Sequence, residues 1–399
     1  MAAMPKQSVT RGRPRGDFAD LTIALACGLA AAATVLFLAA LTFVRPLATS
    51  RDYIVYWATG QQLAHHANPY DAAAMAAVEH AAGFGMKGSY YMRNPPWSLP
   101  LTLPLGYAGA QAGALPWSLL MLALEVLAVR MVWQMYGRPG QHLEYLGYLF
   151  PPALVCVVTG QTSIFTVVGL ALFLRLHRTH GFWAGAALWL CTLKPHLFVP
   201  FGVVLLAWIL LQRKYRVLGG AAAAMAASCA ITALIDPHAW TQYARWAHQS
   251  GIGNEFIPCL SVALRQAIDP RATWIAFVPC AAAAVWALVY YWPRRARWDW
   301  VQDGNLVMMV SLLAAPYCWI WDQALAMPAL LYAACQTPSR KVIAALALLY
   351  LVLETQPFYA TALNSPVYVW AVPAWFVWYL VARHSARGTV AASPAAARA

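Results

Sequence analysis

The hydrophobic positions of this chain fall in blocks long enough to cross a hydrocarbon core, with polar residues confined to the joints between them. The blocks run over 21–44, 115–134, 145–158, 161–177, 182–193, 196–211, 217–235, 272–292, 305–320, 323–337, 342–354 and 366–383. A bilayer asks for about 20 apolar residues per helix. The pattern therefore predicts an all-α fold, a polytopic integral membrane helical bundle of about twelve transmembrane helices. Several blocks are short. The piece 97–113 is apolar but broken by Pro100 and Pro104, and reads as re-entrant or interfacial.

Two connections are too long to be mere joints. They cover 45–96 and 236–271 and are expected to be extracytoplasmic loops. The first contains an Ala-rich stretch that opens at Asp71, an N-cap residue type after Asn68-Pro69-Tyr70, so a surface helix is expected there. Residues 1–20 form a basic tail, 21–383 the membrane domain, and 384–399 an Ala-rich tail expected to be disordered and cytoplasmic. The stretch 21–44 is longer than the apolar core of a cleaved signal peptide, about 7–15 residues. It is expected to stay as the first span.

Composition supports the membrane reading. Of 399 residues, 61% are hydrophobic and 10% charged, against about 25% charged in soluble domains. Nineteen Trp and nineteen Tyr suit interfacial belts. The net charge of +13 raises nucleic acid as a partner. That class is excluded because the basic residues sit in short clusters between apolar blocks. With the N-terminus in the cytoplasm, nineteen of the 27 Lys and Arg fall inside and eight outside, as the positive-inside rule asks. Both termini are then cytoplasmic, in a cell (inner) membrane. None of the eight Cys forms a CxxC pair, so no zinc site or disulfide framework is indicated.

With that orientation, the unusual polar residues collect on the extracytoplasmic face. They are Asp52, Arg93, Asn94, Gln161, Lys194, His196, Arg265, Trp319 and Asp322. Ionisable groups near the membrane are costly and are functional candidates by default. Each also has a plain reading. Asp52 alone is a solvated boundary residue, Lys194 a snorkelling anchor, Gly160-Gln161 a polar turn and Asp322 a helix cap. Co-location on one face favours a shared site over these separate readings.

The motifs together resemble glycosyltransferase family 87 of the GT-C superfamily. They are Asp52-Tyr53-Ile54-Val55-Tyr56-Trp57-Ala58-Thr59-Gly60, Asn68-Pro69-Tyr70, Tyr91-Met92-Arg93-Asn94-Pro95-Pro96, Gly160-Gln161, Lys194-Pro195 and Ala315-Pro316-Tyr317-Cys318-Trp319. The resemblance covers roughly 20–380. Asn94 replaces an aromatic residue and Ala315 a serine of the usual pattern, and Asn254-Glu255-Phe256 stands where the family often shows Asn-x-Ser.

The resemblance implies sugar transfer from a polyprenyl-phosphate-sugar donor to a hydroxyl acceptor on a glycolipid or glycan, with inversion. Mannose is the first expectation, with arabinose and glucose open. Asp52 is then the general base. Lys194 supports the departing phosphate, backed by His196, Arg93 and Arg265. Gln161, Asn94 and Asp322 bind sugar hydroxyls, and Trp319 or Trp321 stacks on the sugar. The first loop has no Asp-x-Asp pair, so no metal is expected, and the chain has no Gly-rich phosphate loop, which argues against a nucleotide-sugar donor. The lipid-phosphate sugar is a substrate and no cofactor is expected. The competing class is a transporter or flippase of a lipid-linked sugar or small solute, which would need polar residues on both faces or paired broken helices.

Overall fold

The computed structural model describes residues 52–85, 91–138, 141–249, 255–356 and 364–392, together with Leu25, Gly28 and Ala32. The expected first span, 21–44, lies outside the described residues except for those three, which are helical. The regular structure among the described residues is all helical, without a strand.

The helices begin with α1, Tyr53–Ala64, and α2, Ala72–Ala81. Asp71 caps α2 as its sequence predicts, its Oδ1 accepting from the Ala73 and Ala74 amides at 2.9 and 3.0 Å. The α1 helix is not a solvated loop. Its residues are buried on almost every face, Tyr53, Ile54 and Ala58 completely. The stretch after Pro95 forms two 3-10 helices, Pro96–Leu101 and Leu103–Tyr107. They lie against α1, where Gly60 and Gly106 bring the two backbones so close that a Cβ on either would collide with the other segment. Gln61 Nε2 donates to the Gly106 carbonyl and Trp57 Nε1 to the Ala108 carbonyl, at 2.6 and 2.8 Å. The 97–113 segment thus does not span as one helix.

Next come α3, Ala110–Tyr136; α4, Pro151–Thr159; α5, Ser163–Leu176; α6, Gly181–Cys191; α7, Val199–Leu211; and α8, Tyr215–Ile235. The second expected loop holds two amphipathic helices, α9, Ala239–Gln249, and α10, Leu260–Ile268. The chain continues through α11, Val278–Tyr291; α12, Asn305–Leu313; α13, Met327–Gln336; α14, Arg340–Thr355; and α15, Ala371–Ala392. The last helix runs on past Arg383, where the sequence predicts a disordered tail.

The expectation of about twelve spans is corrected here. Among the described residues, three helices are long and apolar enough to cross a membrane: Ala110–Tyr136, Tyr215–Ile235 and Thr273–Arg297. The apolar blocks are real, but several form helices shorter than a bilayer, and turns cut others further. At 1.5 Å per residue, α4, with 9 residues, rises about 14 Å, and α5, with 14, about 21 Å. Proline opens α4, α7 and α13, and Gly160 closes α4 in the left-handed region at φ 77°.

The two ends of the bundle differ chemically. At one end the Arg178 guanidinium pairs with Asp299 at 2.7 Å, Arg175 bonds Gln134, Gln212 donates to the Arg295 carbonyl and Arg138 to Gln336. This basic end gathers the C-terminal ends of α3, α5 and α7. The opposite end gathers the start of α1, the α4–α5 turn, Lys194 and the 320–326 segment.

Candidate functional site

The site grows from the tight turn between α4 and α5. Gly160 accepts the left-handed conformation that a Cβ disfavours, and Trp117 Nε1 donates to its carbonyl at 2.8 Å. The turn presents three polar side chains in succession. Gln161 Nε2 donates to Asp52 Oδ2 at 2.7 Å, while its Oε1 accepts from the Tyr56 hydroxyl at 2.9 Å. Thr162 Oγ1 lies 3.2 Å from the same hydroxyl. Ser163 Oγ donates to Asp322 Oδ1 at 2.7 Å.

Lys194 enters from the α6–α7 joint. Its ammonium donates to Ser163 Oγ at 2.7 Å and to Asp322 Oδ1 at 2.6 Å. Asp322 belongs to a 3-10 turn, Ile320–Ala326, and its Oδ2 accepts from the Trp319 amide at 3.0 Å. Burial works against both charges of this pair. For Lys194, burial lowers the pKa, but Asp322 offsets it and the net shift is upward. For Asp322, burial raises the pKa, but Lys194 offsets it and the net shift is downward. Both groups are therefore ionised in the folded protein. Tyr56 couples the two halves: burial holds its phenol above the usual range, with Lys194 pulling it down and Asp52 pushing it up.

His196 stacks on Tyr317, with ring centroids 3.7 Å apart. Burial pushes the imidazole pKa down to about 3, against the pull of Asp322 and with the help of Lys194. The ring is neutral, and its buried Nε2 has no hydrogen-bond partner among the described residues. Beyond Tyr317, Arg93 holds Glu255 through both of its terminal nitrogens at 3.0 and 3.1 Å. Arg265 Nη2 donates to the Glu255 backbone carbonyl at 3.2 Å.

A family model describing glycosyltransferase family 87 matches residues 91–316. The chain belongs to glycosyltransferase family 87. No curated protein and no solved structure matches it. The matched part of the family 87 protein includes Arg93, Asn94, Gln161, Lys194, His196 and Arg265. Asp52, Trp319 and Asp322 lie outside it, and they join the site through the bonds just given.

The structure sorts the sequence-predicted residues of this glycosyltransferase-family protein into two neighbouring groups. Asp52, Gln161, Lys194 and Asp322 line up along the α4–α5 turn, with His196 electrostatically coupled to the last two. Arg93 and Arg265 share Glu255. Asn94 is used structurally at both ends. Its Nδ2 donates to the Leu193 carbonyl at 3.1 Å, and its own carbonyl accepts from the Tyr70 hydroxyl at 3.0 Å. Asn94 thus fixes the position of the residue before Lys194. Trp319 and Trp321 stack on each other at 5.1 Å. Trp319 is partly exposed, while Trp321 is buried.

Tyr56, Ser163 and Glu255 also belong to these groups, and the candidate list from sequence omitted them. All three stand inside or beside motifs singled out there. The signal is nearness in sequence to Asp52 for Tyr56 and to Gln161 for Ser163, and the Asn254-Glu255-Phe256 element for Glu255. What sequence lacks is any local cue that Ser163 lies between Lys194 and Asp322.

Proposed function

We propose that the protein transfers a sugar from a polyprenyl-phosphate-sugar donor to a hydroxyl of a glycolipid or glycan acceptor, inverting the anomeric centre, with Asp52 as general base. The observation that carries this reading is the line of side chains from Asp52 through Gln161 and Tyr56 to Ser163, Lys194 and Asp322, in a chain of glycosyltransferase family 87. A hydroxyl nucleophile needs a base within hydrogen-bond reach as it attacks. Gln161 orients the Asp52 carboxylate for that task, and the start of α1 favours its charge.

The leaving group is a lipid phosphate, which needs positive charge more than a proton. Lys194 carries that charge. An ammonium has three donors, and Ser163 and Asp322 engage two of them. Arg93 offers a planar fork suited to phosphate, at present filled by Glu255. The neutral His196 contributes a hydrogen bond rather than charge. Trp319 offers a ring face to the sugar.

The site end is proposed to face the extracytoplasmic side. Its support is the opposite end, where Arg130, Arg138, Arg175, Arg178, Lys214 and Arg295 collect as the positive-inside rule asks of a cytoplasmic face. Mannose is the proposed sugar.

The test is transfer of radiolabelled sugar from polyprenyl-phosphate-mannose in membranes holding the native chain or Asp52→Asn. Label entering a lipid or glycan product with the native chain alone supports the reading. Equal transfer by both removes Asp52 as base. Solute or lipid flux without transfer returns the transporter class.

A further inference from the structure

We infer that the basic end of the bundle holds a second site, a cavity that binds the phosphate headgroup of an anionic membrane lipid. The cavity has a volume of ≈ 180 Å³ and is lined by Arg178, Lys214, Arg295, Trp208, Trp298 and Trp300. None of these residues belongs to the line from Asp52 to Asp322.

The topology rule explains why cations lie at this end. It does not explain why three of them converge on one concavity. Each is held there by a separate contact. Arg178 is fixed by Asp299 at 2.7 Å. Arg295 Nη1 donates to the Trp292 carbonyl at 2.7 Å, and its guanidinium lies 4.6 Å from the Trp292 ring centroid. The Lys214 ammonium lies 5.8 Å from the Trp208 ring centroid. Arg213, a non-glycine residue at φ 53°, turns the chain sharply, and the Lys214 amide closes the turn onto the Ile209 carbonyl at 2.8 Å. Gln212 Nε2 ties this turn to the Arg295 carbonyl at 2.7 Å. The cations are therefore arranged before any ligand arrives, which lowers the cost of binding.

The charge at the cavity is positive. Asp299 answers one of the three cations, and the neighbouring His177 is held towards its neutral form, chiefly by burial. An anion with several acceptor oxygens fits this arrangement, and phosphate is the best match to an Arg fork and a Lys point charge.

The apolar surroundings favour a lipid over a free ion. Three indole rings form the cavity wall, and Trp rings suit the headgroup level of a bilayer. Leu211, Tyr215 and Trp292 beside it are exposed large hydrophobic residues, about half of their surface being open. A headgroup in the cavity leaves its acyl chains beside these residues. Basic pockets among membrane helices recognise anionic lipids by this combination.

The experiment is native mass spectrometry of the full chain in detergent. It is titrated with dioctanoyl phosphatidylglycerol, dioctanoyl phosphatidylcholine or inorganic phosphate. Phosphatidylglycerol is expected to be retained about 10-fold more tightly than phosphatidylcholine, and more tightly than inorganic phosphate. The double variant Lys214→Gln/Arg295→Gln is expected to lose that preference, while Lys214→Arg keeps it. Should the double variant fail to fold, Lys214→Gln against Lys214→Arg makes the same comparison. Equal retention of the two lipids, an unchanged preference in the glutamine variants, or phosphate binding as tight as the lipid would each overturn the proposal. Sugar transfer is read separately with the same variants, so a failure here leaves the Asp52 reading standing.

Discussion

The Gln161 side-chain amide donates to the Asp52 carboxylate at 2.7 Å across 109 positions of sequence. It anchors the proposed base to the turn that also presents Ser163 to Lys194. A hydrogen bond to a charged group contributes about 1.5–3 kcal/mol. Gln161→Ala is therefore expected to lower kcat/KM for sugar transfer by roughly 10- to 100-fold, mainly through kcat, and Asp52→Asn to reduce it to background. Steady-state transfer assays on purified protein check both.

Lys194 and Asp322 form a buried ion pair, with Asp322 only 1% exposed. Removing one partner leaves an uncompensated buried charge, at a cost of about 3–5 kcal/mol. Lys194→Met and Asp322→Asn should each lower the melting temperature clearly. The double variant should lose less than the two singles combined, and a double-mutant cycle measures the difference.

The same pair predicts a pH window. The Asp322 pKa is depressed on folding, so its stabilisation is present above its unfolded pKa of 3.8 and is lost as pH falls through the folded value. The Lys194 pKa is raised on folding, so its stabilisation is present below 10.5 and is lost as pH rises through the folded value. Between these limits the pair contributes a constant amount. Melting curves of native protein and the double variant should run parallel from pH 5 to 9 and converge outside that range.

Neighbouring glycines in α8 should behave oppositely. A Cβ on Gly220 collides with the Phe182 carbonyl, whereas one on Gly219 meets open space. Forced overpacking costs about 1–3 kcal/mol. Gly220→Ala is expected to lower the melting temperature, while Gly219→Ala leaves it unchanged or slightly higher. Thermal unfolding in one detergent decides between them.

Arg93 and Glu255 are each about one-third exposed, at 35% and 37% of side-chain surface. Such pairs contribute about 0–1 kcal/mol to stability. Glu255→Gln should leave the melting temperature nearly unchanged. If the Arg93 fork meets the donor phosphate, the same change lowers donor KM and Arg93→Ala raises it.

Much of the local structure was legible in the sequence. Asp71 announced its helix, Gly160 its turn, and Pro100 with Pro104 a broken segment. The blocks were helical, but counting them as spans failed. Block length does not reveal that new helices start at Pro151 and at Met327-Pro328, inside the blocks 145–158 and 323–337. The α1 helix falls within the expected loop 45–96, and its apolar start is interrupted by Thr59, Gly60, Gln61 and Gln62. In the fold, Gly60 permits backbone contact and Gln61 bonds the facing carbonyl, so the polar interruption is a packing surface. The charge of His196 was also illegible. A ring's protonation follows its burial, and burial is set by Tyr317, more than a hundred positions away.

The modest length of α5 bears on where the chemistry takes place. The helix rises about 21 Å from Ser163 to Leu176, against a hydrocarbon core of about 30 Å. If α5 stands across the bilayer with Arg175 and Arg178 at one boundary, the Gly160–Ser163 turn stands roughly 10 Å short of the other. A lipid phosphate that meets Lys194 must sink below its own headgroup plane, or the bilayer must thin around the protein to deliver it. Under the proposed transfer reaction, membrane thickness then becomes a determinant of turnover, which is expected to be faster in short-chain lipid than in long.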